Sequence, residues 1–426
     1  MRAKRVHIIT LGCPKNQVDS EVLSAQLVAN GCSLADSLES ADVAVVNTCG
    51  FIDAAKQESI DTILRAAQQK KSNGLKKLVV TGCFVERYKE ELRESLREVD
   101  AFYGTNDLSG VLKELGGKYK DELLGEQVVS PPGHYAYLKI SEGCDNPCSF
   151  CAIPMMRGRH VSKPVEQIIR EAELLSEKGV KELIVIGQDT TYYGLDIYGT
   201  RELPRLMTKL NEIDGIEWIR LMYAYPARFP EDLIEVIRDS EKICKYIDIP
   251  IQHISDKILK SMRRGITRRK LEELLSRIRK EIPGVAIRTT LIVGYPGEGE
   301  KEFQELLHFV NQFKFERLGV FTYSAEEGTH AHILGDPVPM HEKEKRHGAI
   351  MEAQRKIIEG LNDEKIGTNL RVIIDSKGGD ECIGRTSHDA PEIDAGVIFS
   401  SHKSPGDFAD VMIHDSREYD LYGTAI

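Results

Sequence analysis

The chain has 426 residues, more than one ordinary hydrophobic core serves, so two or three domains are expected. Its 41% hydrophobic and 29% charged residues are those of a soluble globular protein, and no run of about 18 apolar residues offers a membrane span. A net charge of −10 argues against a protein that lives by non-specific nucleic-acid binding. The opening MRAKRVHIITLGC places basic residues before an apolar run too short for a signal peptide, so a cytoplasmic location is expected. Nine cysteines, an odd number without a secreted disulfide spacing, point in a reducing compartment to metal binding or chemistry.

In chain order, RVHIITLGC reads as a strand and residues 19–30 as an amphipathic helix closed by Gly31. ADVAVVNTC is a second strand followed by a helix over 51–69, and KLVVTGC a third followed by a helix over 85–99. Such repeats predict an N-terminal parallel α/β domain over residues 1–127, and SPPG at 130–133 marks its boundary. The middle, 134–360, repeats the pattern with the strands YAYLKISEG, ELIVIGQ, WIRLMYAY, YIDIPIQH, VAIRTTLIVG and RLGVFTYS. Helices over 165–178 and 270–280 fall between them, and six strand–helix units predict a (β/α)6-type partial barrel whose chemistry sits at the carboxyl ends of its strands. A charged helix over 341–361 follows. The tail, 361–426, carries five short strands, RVIID, ECIGRT, GVIFS, FADVMIH and EYDLYG, which predict a small OB-like β-barrel.

Six cysteines form two groups of three. GCDNPCSFC supplies Cys144, Cys148 and Cys151 directly after the first barrel strand. Thiolates are the usual ligands of iron–sulfur clusters, and three ligands on a four-iron cluster leave one iron open to a substrate. The alternative on spacing is a zinc site completed by a distant His or Cys. Cys13, Cys49 and Cys83 are dispersed, but each ends a predicted parallel strand, in ITLGC, VVNTC and VVTGC. Adjacent strands would bring all three to one carboxyl edge, where α/β sheets bind ligands. Buried packing explains one such cysteine easily and three at equivalent positions poorly. Cys32, Cys244 and Cys382 lack such a setting and read as packing residues.

The compact motif, with Phe150 before its last cysteine, resembles the radical S-adenosylmethionine (SAM) superfamily, and the resemblance covers the middle domain. It implies a four-iron four-sulfur cluster at Cys144, Cys148 and Cys151, with SAM chelated at the open iron and cleaved to methionine and a 5′-deoxyadenosyl radical. It also implies SAM contacts at Phe150, at Gln188 and Asp189 in IGQDTT, and at Ile292 and Gly294 in TLIVGYPGE; IPIQH places Gln252 and His253 at a fourth strand end. The plainer readings are a turn glycine at Gly294 and a satisfied core histidine at His253. The three-part layout as a whole resembles the methylthiotransferases of that superfamily, and the tail resembles their TRAM domain. That resemblance implies a second four-iron four-sulfur cluster at Cys13, Cys49 and Cys83. There a sulfur methylated by a second SAM is presented, to be transferred to a carbon radical. An electron donor such as flavodoxin or ferredoxin is implied as a partner.

The family has two main substrate classes, an adenosine beside the tRNA anticodon and an aspartate of protein S-twelve of the small ribosomal subunit. Residues 361–426 hold 13 Asp or Glu against 6 Lys or Arg, a net of −7, which repels RNA and suits a basic ribosomal protein, unless it is only a solvated surface. GRTSHDAPEID, at 384–394, resembles the ribosomal-protein branch, and its Asp389, Glu392 and Asp394 are expected to pair with substrate Lys or Arg. CDNPCSFCAIPMMRG resembles the same branch, departing from it at Asn146-Pro147 and Met155-Met156. KSMRRGITRRK, at 260–270, is strongly basic and could touch RNA or the SAM carboxylate; it is read as a solvated helix face. The expected activity is methylthiolation of an aspartate β-carbon, with tRNA adenosine methylthiolation as the alternative. A non-catalytic iron–sulfur sensor or ribosome-binding factor is the alternative of another class, disfavoured because a sensor has no need of SAM.

Overall fold

The computed structural model describes residues 3–72 and 74–426; the first two residues of the basic opening stretch lie outside it. The chain divides into two compact units. One comprises Met1–Ser130, Tyr137–Asp145 and Cys151–Leu174, the other Pro131–Ala136, Asn146–Phe150 and Leu175–Ile426.

The first unit is built on a five-stranded parallel sheet of β1 (Arg5–Thr10), β2 (Ser33–Leu34), β3 (Val43–Thr48), β4 (Lys77–Gly82) and β5 (Ala101–Tyr103), in the order β2-β1-β3-β4-β5. Central β3 is buried at every residue, as a parallel strand covered on both faces must be. Its side chains alternate between two cores. Ala44 and Val46 pack with Ile63, Ala66, Leu78, Val80 and Phe84, whereas Val43 and Val45 pack with Val6, Leu23, Leu27, Val79 and Val111. Helices α1 (Pro14–Ala29) and α4 (Leu108–Glu114) cover the second core, and α2 (Asp53–Ser72) and α3 (Cys83–Ser95) the first. Helix α1 begins five residues before the expected Asp19, because Pro14 occupies its first turn with φ preset for a helix. The unit also holds an antiparallel ladder of β7 (Ser141–Glu142) and β8 (Val161–Ser162), which follows β6 (Tyr135–Lys139) in the chain, and the short helix α5 (Ile153–Arg157).

A second sheet has six strands in chain order, β6, β9 (Glu182–Ile186), β10 (Trp218–Leu221), β11 (Ile243–Asp248), β12 (Ala286–Val293) and β13 (Arg317–Thr322). The pairs from β9 to β13 are parallel, and the sheet is open, as a partial barrel requires. All six correspond to strands expected from the sequence. The tail closes into a barrel of β14 (Asn369–Gly378), β15 (Glu381–Thr386), β16 (Val397–Ser400), β17 (Phe408–Arg417) and β18 (Asp420–Ala425), in the order β14-β15-β16-β18-β17. Alternate residues of β17, Ala409, Val411 and Ile413, point into its core beside Val372, Phe399 and Cys382. No helix among the described residues is long and apolar enough to cross a membrane.

Candidate functional site

In the first unit the dispersed cysteines come together at one sheet edge. Strands β1, β3 and β4 are neighbours; Cys49 and Cys83 follow directly on the carboxyl ends of β3 and β4, and Cys13 follows that of β1 after Leu11 and Gly12. Cys13 caps α1 and Cys83 opens α3, so the strand-to-helix turns themselves carry the thiols. Gly12, at φ +91°, lies flat against Cys49: a Cβ there would sit 2.7 Å from Cys49 Cβ and 2.9 Å from its Sγ. Gly82, at φ +103°, is pressed in the same way on Asn47 Oδ1 and the Thr48 carbonyl, at 2.5 and 2.6 Å.

Fully buried Asn16 ties the three turns together. Its Nδ2 donates to the carbonyls of Leu11 (2.7 Å) and Thr48 (3.0 Å), and the Cys83 thiol faces its Oδ1 at 3.7 Å. Arg157, at the end of α5, donates to that same Oδ1 at 2.5 Å and pairs with Asp19 and Glu142. Burial pushes the Cys83 thiol up to about 11, with Arg157 pulling it down and Cys13 and Cys49 pushing it further up. Cys49 is raised for the same first reason, and there too Cys13 raises and Arg157 lowers. Three thiols gathered at one sheet edge exist together as thiolates when a multiply charged metal group neutralises them, and this donor set fits an iron–sulfur cluster. Among the described residues no three His, Cys, Asp or Glu are drawn tightly enough to hold a single ion; a cluster spreads its thiolates over several irons.

The compact motif is divided between the units, Cys144 and Cys151 in the first and Cys148 in the second. In the first, the Cys144 amide donates to the Gly158 carbonyl at 3.2 Å, and Ala152 packs with Met156 and Cys83. In the second, Cys148 Sγ receives Arg264 Nη1 at 3.3 Å and lies 3.7 Å from the Tyr225 hydroxyl. Arg264 is 4% exposed and stacks on the Tyr225 ring at 4.2 Å. The reading of 260–270 as a solvated face is therefore corrected at Arg264. Nothing in the basic run distinguishes it from exposed Arg263; its burial follows from the turn that carries it under Tyr225, whose hydroxyl donates to the Arg264 carbonyl at 2.8 Å.

The residues expected near SAM all lie in the second unit. Gln188 and Asp189 follow β9; Asp189 is buried, accepts from Thr191 N (2.9 Å) and Oγ1 (2.7 Å), and receives Asn146 Nδ2 at 2.7 Å, so it anchors the cysteine loop. Phe150 and Ile292 pack on one apolar cluster with Met262, Tyr295 and Tyr323. Gly294 donates its N–H to Glu298 at 3.1 Å, and a Cβ there would stand 2.4 Å from Lys343 Cγ. His253 is a core histidine: fully buried, its Nδ1 accepts from Ser255 N at 3.0 Å, and its Nε2 lies 3.4 Å from Glu298. Gln252 bridges to Leu291 of β12 at φ +71°.

Three family descriptions match the chain: an uncharacterized protein family, UPF0004, over residues 5–104, the radical SAM superfamily over 138–310, and the TRAM domain over 366–426. A protein of Cytophaga hutchinsonii named ribosomal protein uS12 methylthiotransferase RimO is 51% identical over 99% of this chain and 98% of its own length. One of Chloroherpeton thalassium with the same name is 49% identical over 100% and 99%. The chain belongs to the RimO family of radical SAM methylthiotransferases. Among solved structures, the radical SAM methyltransferase TsrM of Kitasatospora setae, bound to tryptophan and aza-SAM, has the same fold over 75% of this chain and 73% of its own, with a TM-score of 0.57 at 14% identity. Like its RimO relatives, the chain is an enzyme, a transferase with a radical SAM domain and a closed TRAM barrel.

Of the acids in this RimO chain's 384–394 segment expected to pair with substrate Lys or Arg, Asp389 and Asp394 are engaged inside the unit instead. Asp389, 2% exposed, is held by Arg317 of β13, with Nε at 2.9 Å, and by the Thr386 hydroxyl at 2.5 Å. Asp394 accepts from the Tyr246 hydroxyl at 2.7 Å and lies 3.6 Å from Arg288. Glu392 is exposed, yet accepts from the Tyr135 hydroxyl at 2.8 Å. Beside them Glu182, wholly buried at the start of β9, lies between Arg220 (2.7 Å) and Arg385 of β15 (2.8 Å). An acidic segment and a set of strand-borne arginines thus satisfy one another inside the unit, because each would be costly to bury alone.

Proposed function

We propose that the chain adds a methylthio group to the β-carbon of an aspartate in ribosomal protein uS12, using two four-iron four-sulfur clusters and SAM, in the cytoplasm. The observation that carries this reading is two separate sets of three thiols in one chain, one at three neighbouring strand ends and one in the loop after β6. Three ligands leave one iron open in each set, so one can take SAM while the other takes the sulfur to be donated. Cys144, Cys148 and Cys151 would hold the group that supplies, with SAM, hydrogen-abstracting radical chemistry, and Cys13, Cys49 and Cys83 would hold the group that supplies the methylthio sulfur.

The chain's own part is binding, orientation and exclusion of water. Asp189 holds the cysteine loop through Asn146, and Arg264 donates a charged hydrogen bond to Cys148. Phe150 and Ile292, packed with Tyr295 and Tyr323, would offer an apolar wall for SAM, and Gln188 and Gly294 would be further contacts to it. A small electron-transfer protein such as flavodoxin or ferredoxin delivers the reducing electron. The substrate follows from the relatives' name and from the acidic tail, which suits a basic ribosomal protein better than tRNA.

Anaerobic reconstitution with SAM, a reductant and both uS12 and tRNA, followed by mass spectrometry, tests the assignment. The expected result is a methylthio gain on a uS12 aspartate together with 5′-deoxyadenosine. A gain on tRNA and none on uS12 overturns the substrate, and no 5′-deoxyadenosine in iron-replete protein overturns the reaction.

A further inference from the structure

Arg157 has no part in the reaction as described, although it is among the most deeply buried charges of the first unit, with a side chain 2% exposed. In sequence it belongs to the compact motif, at the end of the short helix that follows Cys151. Its guanidinium serves the other set of cysteines. Nη2 donates to Asn16 Oδ1 at 2.5 Å, the oxygen that faces Cys83 Sγ at 3.7 Å. Nη1 pairs with Asp19 and Glu142, both at 2.9 Å. Lys139 shares those two carboxylates, with Nζ 2.7 Å from Glu142 and in contact with Asp19. The four side chains form a neutral quartet of two cations and two anions, and Arg157 is the member turned toward the thiols.

An iron–sulfur group takes its potential from its net charge, the hydrogen bonds around its sulfurs and its exposure to solvent. A buried cation beside it favours the state with one more electron, and the low local dielectric strengthens that preference. We infer that Arg157 is a positioning residue for the iron–sulfur group of Cys13, Cys49 and Cys83, holding Asn16 under the three turns and raising that group's reduction potential through its buried guanidinium. The inference rests on the proposal that these three cysteines bind a cluster. It gives the buried quartet a role beyond packing: the acids hold the guanidinium in place against Asn16, whose oxygen also meets the Cys83 thiol.

The test uses the full chain with Cys144, Cys148 and Cys151 all changed to Ala, reconstituted anaerobically, so that iron can remain only at the N-terminal set. Iron and sulfide are counted first. If this protein, with Arg157 intact, binds no iron, the cluster assignment falls and this inference with it. If it binds about four irons, a potential titration followed by electron paramagnetic resonance compares Arg157→Gln and Arg157→Lys in the same background. Arg157→Gln is expected to lower the ratio of reduced to oxidised cluster at a fixed potential about tenfold, ~59 mV for a one-electron couple. Arg157→Lys keeps the charge and is expected to stay within about twofold. Should Arg157→Gln fail to fold, Glu142→Gln decides: it removes an anion beside the same guanidinium and is expected to raise the ratio. An unchanged ratio in Arg157→Gln at full iron content, or in Glu142→Gln where that variant decides, overturns the inference.

Discussion

Asn16 shows how much of a site can rest on one amide. Its donors hold the carbonyls of Leu11 and Thr48, which flank two cysteine turns, and its oxygen meets Arg157 and the Cys83 thiol. Asn16→Ala leaves those groups unpaired in a buried place, where each unsatisfied polar group costs about 1–3 kcal/mol. The metal-free variant is expected to lose on the order of 3 kcal/mol in denaturant unfolding and to recover less iron at the N-terminal set. Unchanged unfolding would show that the turns hold themselves. Cys49→Ala separates the two thiol sets: cleavage of SAM to 5′-deoxyadenosine should persist while methylthio transfer is abolished, and survival of both at wild-type rates would remove Cys49 from the reaction. The cysteines themselves could be found from sequence, since each ends an apolar strand and such ends share an edge. Asn16, Arg157 and Arg264 could not. A polar side chain in a helix or after a motif carries no mark of burial, and the bonds that bury these three reach across 32 residues to Thr48, 141 to Asn16 and 116 to Cys148.

At the level of elements, strand–helix alternation was readable because its period changes between two and 3.6 residues, and every strand of the six-stranded sheet and of the tail barrel was expected. The two short edge strands, β2 and β5, were not, for two or three residues have no period. Nor was the placement of the 384–394 segment, whose acids look like a surface patch until the strands that oppose them, with Arg288 and Arg317, are known. That docking has a pH signature. Burial pushes the Asp389 carboxyl up, but Arg317, Lys365 and the Thr386 hydroxyl outweigh it and hold the group at about 2, below its ordinary 3.8. The folded state therefore binds this proton less readily than the unfolded chain. The resulting stability is fully present above pH 3.8 and is lost as the pH falls through about 2. Asp389→Asn leaves Arg317 buried without its partner and should cost about 3–5 kcal/mol near neutrality. The gap to wild type should narrow by on the order of 2 kcal/mol on acidification from pH 4 to pH 2. Urea unfolding at a series of pH values measures this; a gap that stays constant would mean the carboxylate is not what Arg317 relies on.

For the molecule as a whole, the docking changes what the net charge of −10 means. Part of the tail's excess acidity is spent internally, since Asp389 and Asp394 are matched by arginines of the six-stranded sheet. What remains at the surface of the tail barrel includes Asp380, Glu381 and Asp410, all exposed. These, rather than Asp389 and Asp394, are charges available to a basic partner. Each exposed charge is worth about 0.2–1 kcal/mol in a pair, so the three together can alter capture without being needed for folding. The variant Asp380→Asn, Glu381→Gln, Asp410→Asn is expected to raise the KM for uS12 about fivefold at low salt, leaving kcat and the thermal midpoint near wild type. Because the Debye length shrinks from about 30 Å at 0.01 M to about 8 Å at 0.15 M ionic strength, the difference should fade as salt is added. A KM equal to wild type at every salt concentration would mean that the tail's exposed acids are only solvated, and would leave the substrate preference to contacts at the cysteine-bearing edges.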